Sequence, residues 1–398
     1  MTRQDLHAQL SELLYIEDFG MVDILMATVV ANSLKIGDPV WITLIGPSSG
    51  GKSQIIRPFS RANHKFIHQL DDLTANTLIS GTMGLEGSLL GRIGNHGMLS
   101  MDDLTVLFSK GPEERAAILS QFRMVYDGRY SKSSGNRKEA MDWTGHIGMI
   151  AGSTPSIYRY FSEVADMGER FLSYRMRAID KHKAVEFVTA SKRTSTNLNE
   201  AIGDLFHSYL MELLPNLPKD RSEMPEVHEE TQEVIANVAE YATLLRTPVH
   251  IDERSGLVDE FPEPEMPFRV MKQLGSMAQA LQCMCEEPEE ILPADLTRAL
   301  EWTAYSLAND KRRAYLRALV ALSDDGKKLN KRNVSGATGL HMDIVGKGLD
   351  QLQALGIIKL HGDDSNKEWE LNNYGLTKIV RRLDPISNIN DFIDEQEL

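Results

Sequence analysis

Eight residues, Gly46-Pro47-Ser48-Ser49-Gly50-Gly51-Lys52-Ser53, constrain this chain more than any other stretch. They follow a short apolar run, Val40 to Ile45, that is rich in β-branched and aromatic residues and bounded by Pro39 and Gly46. Such a run reads as a buried parallel strand. A helical pattern comes next, so the segment is strand, glycine-rich turn and helix, and it satisfies G-x-x-x-x-G-K-[ST] in the context that gives the pattern meaning. Glycines let the backbone turn so tightly that successive N–H groups point inward at phosphate oxygens, with the positive end of the following helix behind them. Gly46, Ser48, Ser49, Gly50 and Gly51 are the candidate cradle. Lys52 would reach the β- and γ-phosphates, and the Ser53 hydroxyl would ligate Mg²⁺.

Phosphate chemistry of this kind needs a second metal-side acid at the end of a neighbouring strand. Met98-Leu99-Ser100-Met101-Asp102-Asp103 supplies it after a span that suits one strand–helix–strand excursion. Asp102 is assigned to the Mg²⁺ shell and Asp103 to polarising the attacking water. The opposite register, with Asp103 on the metal, leaves the catalytic acid to come from elsewhere. A third apolar run, Gly145 to Ala151, ends at Gly152-Ser153-Thr154-Pro155, where a small polar side chain would bridge the water and the γ-phosphate. Gly168-Glu169-Arg170-Phe171 opens the helix-rich part of the chain. Arg170 is placed to project from one subunit onto the nucleotide of the next, and Arg175 and Arg177 compete for that role. Strands alternating with amphipathic stretches such as Glu113 to Tyr126 imply an α/β domain with a parallel sheet.

The 398 residues make two or three domains. Residues 1–37 read as a helical segment ending at Gly37-Asp38-Pro39, and residues 38–180 as the α/β unit. Residues 181–310 show helices only, clearest at Leu205 to Leu214, Glu230 to Leu245 and Phe268 to Cys283, with Pro- and acid-rich connectors between them. Residues 311–383 give helix, helix, helix, strand, turn, strand, the order of a winged helix, and 384–398 form an acidic tail.

Together these features resemble the AAA+ ATPases: a P-loop at Gly46 to Ser53, a paired-acid strand at Met98 to Asp103, a sensor at Ser153 or Thr154, an arginine finger at Arg170, and a helical lid with a second sensor at Arg269. Within that superfamily the chain is similar to the minichromosome-maintenance-like helicases and to replication ATPases of phages and mobile elements. Gly-Ser-Thr-Pro, Gly-Glu-Arg-Phe, the stretch Arg269 to Ala280 and the C-terminal winged helix carry this narrower likeness. Asp103 stands where the family has Glu, Thr154 stands where it has Asn, and residues 1–37 give no expectation of the family's amino-terminal DNA-binding and zinc domain. The resemblance implies ATP and Mg²⁺ as cofactors and a hexameric ring or spiral. Lys52, Asp102, Asp103 and Thr154 would then act within a subunit and Arg170 across the interface. It also implies a hairpin lining a pore that holds DNA, at Tyr126 to Lys138. There Arg129, Lys132, Arg137 and Lys138, with Tyr126 and Tyr130 interleaved, would follow phosphates and stack on bases, or simply form a solvated basic loop.

Charge argues that any nucleic acid meets a local surface. The net charge is −14, yet Lys311 to Arg382 holds fourteen Lys and Arg against eight Asp and Glu. The groove-entering helix, Met342 to Leu355, offers only Lys347 beside Asp343 and Asp350, whereas sequence readers present Arg, Asn or Gln. The basic residues Lys311, Arg312, Arg313, Lys327, Lys328, Lys331 and Arg332 suit non-specific phosphate contact or none, so the module binds DNA or a protein partner such as a replication protein. Cys283 and Cys285 are too close for an unstrained bridge. With no signal-peptide pattern and no membrane-length apolar run, the expectation is a cytoplasmic protein without a membrane partner.

Overall fold

Every residue of β1 (Trp41–Ile45) is buried, as in a strand covered on both faces. The computed structural model describes residues 1–398 except 75, 81–84, 133–140, 161–169, 192–194, 220–222, 253, 255–257, 289, 362–366 and 386–398. After β1 come β2 (Ile67–Leu70), β3 (His96–Met101), the hairpin strands β4 (Arg129–Lys132) and β5 (Met141–Thr144), β6 (His146–Ser153) and β7 (Phe171–Arg175). Five of them form one sheet in the order β2-β3-β6-β1-β7. All its pairs are parallel. The fold is therefore α/β around a parallel sheet, with two strands more than the three apolar runs suggested.

The helices are α1 (Arg3–Ser11), α2 (Gly20–Ser33), α3 (Lys52–Ala62), α4 (Leu89–Ile93), α5 (Thr105–Phe108), α6 (Pro112–Tyr126), α7 (Lys181–Ala190), α8 (Ser195–Leu213), α9 (Glu229–Arg246), α10 (Phe268–Cys283) and α11 (Ala294–Tyr305). Then follow α12 (Asp310–Asp324), α13 (Lys331–Thr338), α14 (Met342–Ala354), β8 (Ile358–His361), β9 (Glu368–Leu371) and α15 (Tyr374–Leu383). No helix among the described residues is long and apolar enough to cross a membrane. The chain divides into two compact units, Met1–Ala236 with Phe268–Ala304, and Asn237–Pro267 with Tyr305–Leu398.

In the first unit, one sheet face buries Trp41, Leu99, Met101, Met149 and Phe171 with Phe122 and Tyr126 of α6. Trp41 anchors this layer: its indole donates to the Ile147 carbonyl at 2.6 Å, and the rings of Phe122 and Tyr126 meet it edge-on. α2 is buried from Met21 to Asn32 and lacks a polar face, which marks a core helix. Its last turn is pinned to the sheet by Asn32, which accepts from the Val40 amide at 3.0 Å and donates to the Val40 carbonyl at 2.9 Å. Only glycine fits opposite, because a Cβ on Gly148 would lie 2.3 Å from the Asn32 amide carbon. α3 is held against α8 by Phe59 and Phe206, whose ring centroids are 4.7 Å apart.

In the second unit, α12 to α14 pack together ahead of the antiparallel pair β8 and β9. Arg312 is buried and donates to the Leu245 and Thr247 carbonyls at 2.7 Å each. Arg313 and Arg317 both pair with buried Asp384, at 2.7 and 3.2 Å. Arg312 and Arg313 thus hold the unit together and are withdrawn from the surface, so for these two the alternative of no phosphate contact is the one that fits. Asp384, expected to begin a solvated tail, is part of this core.

Candidate functional site

The loop after β1 closes on itself and on β6. The Gly46 amide donates to Ser153 O at 3.1 Å, and the Gly50 amide to Pro47 O at 3.1 Å. Ser49 and Gly51 have φ of +61° and +84°. The left-handed region costs an L-residue about 1–2 kcal/mol, so Ser49 holds strain that Gly51 does not. Gly51 begins α3 without any side-chain cap, and the first turn contains no acid. The Gln54 amide donates to Gly51 O at 3.0 Å, and the turn's earlier N–H groups have no side-chain cap and suit an outside acceptor. Lys52 is only 8% exposed and donates to the Gly46 and Pro47 carbonyls at 2.9 and 2.6 Å. Burial lowers its pKa, and the charge of Asp103 works against that shift.

β3 delivers the acid pair to the same end of the sheet, with β6 standing between it and β1. Asp102 is paired with Arg57 of α3 and accepts from Gln69 of β2 at 3.1 Å. Asp103 accepts from the Thr105 amide at 2.9 Å and from its hydroxyl. The close approach depends on Gly152, where a Cβ would fall 2.2 Å from the Asp102 carbonyl oxygen. Ser153 sits opposite Ile45 in register, so Thr154 lies level with Gly46, the first residue of the loop, its hydroxyl 2.6 Å from that of Ser156. Gly46, Ser48, Ser49, Gly50, Gly51, Lys52, Ser53, Asp102, Asp103 and Thr154 therefore share the carboxyl end of the sheet, where α/β folds bind ligands.

Arg170 and Arg269 lie elsewhere. Arg170 immediately precedes β7, whose Phe171 pairs with Trp41, so it is at the amino end of the sheet, about 15 Å along the strands from the loop. Its guanidinium grips Asp127 at 2.8 and 2.9 Å and lies over the Tyr126 ring. Gln273 of α10 donates to both the Tyr126 hydroxyl and Arg170 O, and Arg269, one turn earlier, acts electrostatically on the same tyrosine. The two arginines form one cluster, remote from this chain's own loop. Arg175 and Arg177 are at the loop end, but Arg175 is bonded to Tyr158, and Arg177 stacks on Trp302 and pairs with Asp18.

The hairpin β4–β5 is present directly before β6, with Arg129 exposed and Lys132 donating to Asn76 and to Ile79 O. Arg137 and Lys138 lie outside the described residues. Tyr126 and Tyr130 are both buried in the core, Tyr130 facing Trp143 across the hairpin, so neither is open to stack on a base. That corrects the sequence expectation: spacing marks the aromatics, but Tyr126 ends α6 in the core and Tyr130 belongs to the hairpin's buried face.

A slot missed in the sequence lies beside Gly50 and Gly51. It encloses about 70 Å³ and is walled by Leu14, Ile16, Met21, Ile55, Met176 and Ile179. Its only signal is the break in helical spacing at Tyr15-Ile16-Glu17-Asp18, between α1 and α2. Among the described residues no cluster of three or more His, Cys, Asp or Glu could hold a metal unaided. Hydrated Mg²⁺ held by phosphates needs no such cage. No protein-family model matches the chain, and no curated protein matches it in sequence.

Proposed function

We propose that this chain is an ATP-hydrolysing AAA+ motor that acts on DNA as an oligomer, in the manner of a replicative helicase or initiator of a phage or mobile element. One observation carries the reading: a glycine-rich loop with left-handed residues, an uncapped helix with a buried lysine, an acid pair and a small polar residue converge at one end of a parallel sheet. The residues fit a magnesium nucleotide. The open N–H groups of α3 and the Lys52 ammonium suit phosphate oxygens, which as anions outcompete the two loop carbonyls. Ser53 and one acid of the pair would hold Mg²⁺, and the apolar slot offers the base a wall. Bound MgATP supplies a γ-phosphoryl group that can pass to water.

In this reading Lys52 and the loop amides hold charge in place, and Thr154 orients the water. The tie of Asp102 to Arg57 and Gln69 favours the register in which Asp103 takes the metal side. Distance favours Arg170 and Arg269 acting on a neighbouring subunit's nucleotide, with hydrolysis waiting on assembly. The helical segments after β7 would be the lid and the second unit the winged helix. The free thiols of Cys283 and Cys285 agree with a cytoplasmic setting.

A second reading, a nucleotide-gated regulator working through the C-terminal unit, is favoured by one feature. Lys327, Lys328 and Lys331 are each paired with an acid of the same unit, while Met342 and Ile344 of α14 are exposed, a surface better suited to protein than to phosphate. The deciding experiment is steady-state ATP hydrolysis against protein concentration, with and without single- and double-stranded DNA at fixed salt, using Lys52→Ala as the blank. A steep rise with concentration and stimulation by DNA supports the motor. Turnover indifferent to both supports the regulator, and turnover undiminished in the blank refutes the site.

A further inference from the structure

We infer that α7 is the arm by which one copy of this chain holds the next, seated in the groove at the opposite end of the neighbour's sheet; this deepens the reading of a nucleotide shared between subunits. α7 has no buried residue, and Val185 and Val188 are 64% and 69% exposed. With Lys181 they recur at spacings of four and three and so form one stripe. A ten-residue helix is marginal without packing, and its inward contact is Phe187 against Tyr15, 6.3 Å between ring centroids. The stripe stands beside the nucleotide end, because Ile179, just before α7, lines the slot next to Gly50 and Gly51.

The complementary surface is a groove of about 810 Å³ between the turn before β1, residues 226–235 and α10. Ile36, Val227, Ile235 and Met271 make it apolar, while Asp38, Glu226 and Lys272 charge it. It lies at the arginine end of the sheet, since Asp38 acts on the same Tyr126 hydroxyl as Arg170 and Arg269. The stripe matches it in kind: two valines for the apolar wall, and Lys181 for Asp38 and Glu226. The patches differ and sit at opposite ends, so the contact is head-to-tail and propagates into a ring or spiral. Seating α7 brings the arginine cluster of one copy to the nucleotide end of the other, which is what Arg170 and Arg269 need in order to act in trans.

The test uses full-length chains with MgATP. Val188→Cys chains mixed with Val227→Cys chains should give an oxidised dimer that neither chain gives alone, with the parent, retaining Cys283 and Cys285, as the blank. Val185→Glu with Val188→Glu should leave the melting curve unchanged, as both sites are exposed, yet move the assembly midpoint in sedimentation to roughly tenfold higher concentration or beyond. A wild-type chain that assembles, with no mixed crosslink and an unshifted midpoint in the double variant, overturns the arm and leaves the ATPase reading standing. Mixed crosslinking without ATP turnover keeps the arm and overturns the ATPase. A wild-type chain that stays monomeric with MgATP overturns the arm.

Discussion

His146 should make the stability of the first unit depend on pH. It opens β6 opposite His96 of β3, the two ring centroids 6.0 Å apart, and its Nε2 is 3.3 Å from Oδ1 of Asn32. Burial, then the neighbouring His96 and Lys35, push its pKa down to about 4. The folded chain thus keeps this ring neutral where the unfolded chain, with a pKa of about 6.5, takes up a proton. Its contribution is complete above pH 6.5 and is lost as pH falls towards 4. Between pH 7 and pH 5 the linkage amounts to about 2 kcal/mol. Urea unfolding followed by tryptophan fluorescence reads mainly this unit, which holds three of the four tryptophans, Trp41, Trp143 and Trp302. His146→Gln is the comparison, since it keeps a donor for Asn32. The variant will be weaker at both pH values, but its loss between them should be about 2 kcal/mol smaller than that of the wild type. Equal losses would refute the argument, because His68 and His96, also shifted down, are present in both chains.

Gly152→Ala should cost about 1–3 kcal/mol in denaturant unfolding, because its Cβ displaces the Asp102 carbonyl, and ATP turnover should fall further than nucleotide binding. Arg170→Ala should retain nucleotide binding and lose turnover; full activity removes the arginine from the mechanism. Asp103→Asn should raise the Mg²⁺ concentration needed for half-maximal turnover at least tenfold, more than Asp102→Asn does, and the reverse order restores the original register (on the order of 1.4 kcal/mol per decade). Arg129→Ala with Lys132→Ala should abolish stimulation by single-stranded DNA while leaving DNA-free turnover intact, and unchanged stimulation counts against the hairpin as a DNA contact.

The loop end of the site was legible because its chemistry is local. Gly46 to Ser53 form one contiguous stretch from β1 into α3, and β1, β3 and β6 announce themselves as apolar runs because both their faces are covered. β2 was not legible: it is an edge strand whose inner residues His68 and Gln69 are only half-buried, so no apolar run marks it. β7 was missed because Ser173 and Arg175 interrupt its pattern at the other edge. Pairing was also beyond one-dimensional reading. Nothing in the spacing of Arg170, Asp127 and Gln273 says that they meet, nor that Arg312 and Arg313 turn inward while Lys311 stays at the surface.

β6 carries its two tightest approaches on one face, at Gly148 against Asn32 and at Gly152 against Asp102. Each is a place where the strand contributes bare backbone and a different element sets the distance. The strand therefore works as a ruler with two fixed marks, one gauging how α2 meets the sheet and the other how near the acid pair comes to the loop. A library randomised along β6 should return glycine alone at both marks, while Met149 and Ile150 between them drift among apolar residues of similar volume. Sequence variation in this strand would then record the gauge itself and not the chemistry it serves.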